Sequence, residues 1–187
     1  MNSQNRTSYL LILALLVAGC ISISPAAKAA DNPPEGSKEI RELLTQVKAE
    51  AKALEHDADL LASWARGKQV SWQGHAGKLN EMKDHVNEAG QLLEKMNNAR
   101  VGASAWQQTA IDRIYPLLKE LADNMEATIK HFNDNKTQIH FPEYRDYTKA
   151  RYVLAEELAT LISDYVDYGD HEAEYHLLQD KMQSAGS

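Results

Sequence analysis

The chain has little of what fixes most small exported proteins. It contains one cysteine in 187 residues, so no disulfide can form within it. Glycine occurs nine times and proline five, which excludes collagen-like and linker-dominated architectures. No stretch approaches the ~20 consecutive apolar residues that a membrane-spanning helix needs. There is no Cys-x-x-Cys-His for covalent haem and no Gly-x-Ser-x-Gly for a hydrolase elbow. Alternation of the strand type is absent over any useful length. With these removed, stability has to come from helix packing, and no motif names a reaction.

The first thirty residues differ from the rest. They hold Arg6 and Lys28 and no acid. Tyr9–Ala18 is an apolar run of ten residues, too short to span a bilayer and right for the core of a signal peptide. Two cleavage readings follow. Val17-Ala18-Gly19-Cys20 resembles the bacterial lipobox, and that resemblance implies lipidation of Cys20 as the first mature residue. Ala27-Lys28-Ala29 is an A-x-A site that would release a protein without Cys20. Either way the expected location is the bacterial cell envelope, as a periplasmic protein or a lipoprotein facing the periplasm. Residues 31–36 read as a linker, and residues 21–36 together are small, polar and Pro-rich.

From Asp31 onward 18 bases stand against 27 acids. An acid excess argues against nucleic acid as a partner, because phosphate binding needs a concentrated basic surface. It also argues against adsorption to anionic lipid, leaving a lipid anchor as the only expected membrane attachment.

Residues 37–183 carry helical periodicity with three interruptions, predicting an all-α, antiparallel up-down-up-down four-helix bundle. A longer hairpin that completes its core by dimerisation is the alternative. Helices are expected near 37–66, 71–100, 104–133 and 142–182. Seven-residue rows mark coiled-coil-like seams. The first helix shows Ile40/Val47/Leu54/Leu61 beside Leu44/Ala51/Ala58/Ala65. The second shows Trp72/Leu79/Val86/Leu93 beside His75/Met82/Ala89/Met96. The third shows Ile111/Leu118/Met125/Phe132 beside Ile114/Leu121/Thr128, with Pro116 expected to kink it. The fourth shows Tyr147/Leu154/Leu161/Tyr168 beside Tyr144/Arg151/Leu158/Tyr165, and Gly169-Asp170 is expected to bend or fray it.

Few residues in this pattern suggest chemistry. Glu81/His85 and Glu172/His176 lie one helical turn apart, but each pair stands alone, and no Glu-x-x-His of the di-iron type occurs. No metal or cofactor is therefore expected. A b-type haem would need two facing axial ligands, for which His75, Met82, Met96 and Met125 are the core-row residues. Arg151 interrupts an apolar row; the expectation is that its stem snorkels outward, with an internal acidic ligand as the other reading. Trp64, Trp72 and Trp106 are expected to join the helix-four tyrosines in one aromatic core end. The ligand-binding residues named from sequence are Arg151, His75, Tyr147 and Tyr165. With no catalytic constellation, the expected function is non-enzymatic: binding a protein or peptide partner, or self-association. A small-ligand or haem-binding bundle is the alternative.

Overall fold

A computed structural model describes residues 35–67 and 70–185. The leader, Cys20 and the 31–34 stretch of the linker lie outside the described residues. Four α-helices follow in order: α1 (Glu35–Arg66), α2 (Trp72–Asn98), α3 (Ala105–Asp134) and α4 (Pro142–Ala185). Short 3-10 turns at Arg100–Gly102 and Lys136–Gln138 lie in the two later connections. Among the described residues there is no strand, and no helix is long and apolar enough to cross a membrane. The four helices bury one continuous apolar core.

Local chemistry sets the helix starts. Ser71 sits in extended backbone before α2, and its hydroxyl accepts from the Gly74 N–H at 3.4 Å. Before α3, the Ser104 N–H donates to Gln107 Oε1, one half of a capping box. The same Gln107 amide, wholly buried, donates through Nε2 to the carbonyl of Ser37 at 2.6 Å. It thereby ties the start of α3 to the start of α1. Pro142 opens α4, where its missing N–H costs nothing. Helix α3 runs on through Pro116, whose ring has no N–H to offer the carbonyl one turn back.

The seams of α1, α2 and α3 fall where the periodicity puts them, apart from Trp72, which is 40% exposed. Helix α4 differs. Tyr144 and Leu158 are buried as expected, Arg151 is buried with them instead of snorkelling outward, and the row beside them is Thr148/Ala155/Ile162/Gly169. Tyr147, Leu154 and Leu161 flank the core, and Tyr168 is exposed. The two helices with the most extensive contact both bury small residues, Ala51, Ala58 and Ala65 on α1 and Ala155 and Ala159 on α4. Helix α1 shares its most extensive contact with α4 and then α2; α3 packs on α4; the α2–α3 contact is the slightest of the four.

Gly169 neither bends nor frays α4. It is buried within a continuous helix, and a Cβ there would lie 2.8 Å from the ring of Trp106. The indole lies across it, edge-on to Tyr168 at 5.4 Å, and donates Nε1–H to Glu172 at 2.7 Å. Gly77 is the opposite case, with nothing within 4 Å of its missing Cβ.

These two glycines give opposed expectations. Gly169→Ala should destabilise by about 1–3 kcal/mol through overpacking and shift Trp106 fluorescence. Gly77→Ala should stabilise by up to about 1 kcal/mol through helix propensity alone. Thermal or urea unfolding of the two variants checks both signs.

Candidate functional site

The last turns of α1 and α3 meet the first turns of α2 and α4 around a histidine. His75, wholly buried in the second turn of α2, places Nδ1 3.1 Å from the hydroxyl of Tyr144 on α4. Trp64 of α1 stands edge-on to the imidazole at 5.8 Å. His131 of α3 stacks near Tyr144 and lies 4.9 Å from the ring of Tyr147; Phe132 is 6.0 Å from Tyr144. Over this end, a cleft of about 500 Å³ is lined by residues including Ser71, Trp72, Lys136, Ile139 and His140. The Lys136 ammonium sits 5.3 Å above the Trp72 ring.

Burial governs the electrostatics here. His75 is lowered to about 4, chiefly by desolvation and secondarily by His140. It is a neutral imidazole at physiological pH, and its Nε2 has no partner among the described residues. Burial pushes the Tyr144 phenol upward, against the pull of Arg151.

Two turns along α4 from Tyr144 lies Arg151. It does not snorkel: it is 0% exposed. It stands on the buried row of α4, between Tyr144 and Leu158. None of its three guanidinium nitrogens has a hydrogen-bond partner, and no carboxylate pairs with it among the described residues. Burial draws its pKa down to about 10, with Tyr144 opposing, so it stays charged at neutral pH.

Of the residues named from sequence, His75 bonds Tyr144 and Tyr147 joins them through His131, while Arg151 lies two turns from Tyr144 on the same buried row of α4. Tyr165 does not belong with them. It lies fourteen residues beyond Arg151, about 21 Å along the helix, on the flank of the core. The aromatic residues form two groups rather than one core end: Trp64 belongs to the His75 cluster and Trp106 to Gly169. Reading the sequence singled out neither Tyr144 nor His140 as a site residue. The signal was there for Tyr144, a hydroxyl at the first core position of α4 as His75 is the first polar core position of α2.

The Glu/His pairs resolve elsewhere. His85 Nδ1 bonds Glu50 of α1 at 2.7 Å, and Glu81 pairs with Lys78. Lys78 also reaches the nearly buried Asp57 at 2.8 Å. Burial disfavours the Lys78 charge, but hydrogen bonds to Asp57 and Glu81 outweigh it and hold its pKa above the ordinary lysine value. Glu172 is taken by Trp106. Among the described residues no three His, Cys, Asp or Glu side chains are grouped to hold a metal. Met82, Met96 and Met125 pack in the apolar core.

A second feature lies on another face. Between α2 and α3 runs an open groove of about 1040 Å³. Val86, Leu93, Ile111 and Leu118 form its floor; Asn97 and Tyr115 are among its rim residues. An Arg100–Asp112 ion pair, doubly bonded at 2.7 Å, closes one part of the wall. Gly90 also lines it, and a Cβ there would meet nothing within 4 Å.

Comparison with protein-family models, with curated proteins and with solved structures gives no match for this chain.

The His75 environment predicts a pH signature. A base with a lowered folded pKa binds its proton first in the unfolded state, so stability is full above about 6.5 and falls as pH drops toward about 4. That separation corresponds to a loss on the order of 3 kcal/mol. Urea unfolding across this range should show a shallower acid loss for His75→Gln than for the wild type.

Proposed function

We propose that this chain is an exported, non-enzymatic helical-bundle protein of the bacterial cell envelope, with helices running up-down-up-down, that works by docking an amphipathic helix. The first occupant is the end of α4 from a second copy. Export rests on the leader-like first thirty residues, with Cys20 or the Ala27–Ala29 site marking its end. The up-down order is supported by the meeting of the α1 and α3 C-terminal turns with the α2 and α4 N-terminal turns around His75.

One observation carries the docking reading: the same chain presents both halves of a helix-in-groove contact. Every residue from Glu174 to Ala185 is exposed although the segment is helical. Tyr175, Leu178 and Met182 recur at helical spacing and are 60, 51 and 77% exposed, with Leu177 beside them at 54%. An isolated stripe of this kind is not needed for the core, which α4 leaves at Gly169. The groove supplies what the stripe lacks. Its walls span residues 86–97 and 111–122, each about 18 Å of helix, and the exposed α4 segment is about 18 Å long as well. The apolar stripe meets a groove floored by Val86, Leu93, Ile111 and Leu118, and burying the exposed stripe there removes apolar surface from water.

Complementation tests this. Leu178→Asp with Met182→Asp spoils the stripe at exposed positions. Gly90→Glu fills the groove at a site with room for a side chain. The wild type should associate with increasing concentration in sedimentation velocity, and each variant alone should stay monomeric. Mixed, they should recover a heterodimer, because one keeps its groove and the other its stripe. A wild type that is monomeric throughout, or association indifferent to both variants, would defeat the reading.

A further inference from the structure

We propose that Arg151 anchors a binding site for a small carboxylate inside the bundle, a site separate from the helix-docking groove. The observation is a charge with nothing to answer it. The guanidinium is fully buried, its Nε, Nη1 and Nη2 all lack partners, and no acid among the described residues reaches it. Water can accept its hydrogen bonds but cannot neutralise it. A buried cation stripped of water and left unpaired is among the most unfavourable arrangements in a folded protein. The guanidinium is enclosed at 0% exposure, and an anion that enters would supply the missing compensation.

The geometry of the free nitrogens selects the anion. Guanidinium presents its donors as a planar fork, which a carboxylate fits with two parallel hydrogen bonds. With both the Nε/Nη edge and the Nη1/Nη2 edge unpartnered, either can take that contact. A second unpartnered group is His75 Nε2, buried, on the ring whose Nδ1 meets Tyr144. Arg151 follows Tyr144 two turns further along the same buried row of α4, at the end of the bundle that carries the Lys136/His140 cleft. Buried core residues lie along the row of Arg151, so the smallest carboxylates, formate and acetate, are the ones to test.

Acetate is the probe. In the purified mature protein at constant ionic strength, the unfolding midpoint should rise saturably with acetate. Arg151→Met, similar in volume and apolar, should be at least as stable as the wild type without acetate and should lose the acetate dependence entirely. Arg113→Met, an exposed control, should keep it. Chloride, with no second oxygen for the fork, should bind at least tenfold more weakly. Because a core variant can fail to fold, a measurement on the wild type stands beside these. The Arg151 Nε–H signal in nitrogen-15 NMR should be slow to exchange and should shift saturably with acetate. No acetate dependence in the wild type, an equal response in Arg151→Met, a chloride affinity equal to acetate, or an Arg151 signal that acetate leaves unmoved would each overturn the proposal. The first of these is the outcome expected if ordered water alone surrounds the guanidinium.

Discussion

The close packing of α1 on α4 is the constraint from which the other features follow. Both helices bury small residues, Ala51, Ala58 and Ala65 on one and Ala155 and Ala159 on the other, all essentially without exposure. Helix α4 presents Thr148, Ala155, Ile162 and Gly169 to the core and sends Tyr168 to the surface. Arg151 lies on the buried row beside them. And because α1 and α4 occupy each other's broad faces, the contact between α2 and α3 is the one left slight, with an open groove along it.

This gives the molecule two kinds of incompleteness, and they differ physically. The α4 stripe is apolar surface in water, a cost that scales with area and is relieved by a matching apolar partner. The Arg151 site is a buried charge, a cost that depends on one group and is relieved by opposite charge. The first points to association of helices, the second to a small anion. Neither requires the other, since the groove lies between α2 and α3 while the guanidinium lies on the buried row of α4.

Much of the fold was legible in the sequence. Seven-residue rows of Ile, Val, Leu and Met marked the buried faces of α1, α2 and α3, and Ser71, Ser104 and Pro142 marked helix starts. The fourth helix departs from its hydrophobic pattern for a definite reason. Its buried row is Thr, Ala, Ile and Gly, less hydrophobic than the Tyr and Leu row beside it, and hydrophobicity alone cannot register that closeness was being selected. Gly169 was read as a weakness for the same reason, because its function is to leave room for an indole sixty-three positions earlier in the chain. The site was half legible. A lone arginine and a lone histidine in apolar rows are visible in any sequence, but their lack of partners is a property of three-dimensional packing. Tyr165 shared the row of Arg151 and was therefore grouped with it, although heptad spacing places it far along the axis.

Hydrogen–deuterium exchange at low and high protein concentration tests whether α4 beyond Gly169 and the α2–α3 groove are partners across two copies. When dilute, amides from Glu174 to Ala185 should exchange almost as fast as in an unfolded chain. On concentration they should become protected together with those lining the groove on α2 and α3, while the α1–α4 seam is unchanged. Exchange in the α4 end that does not depend on concentration, or protection that appears there without any change in α2 and α3, would contradict it.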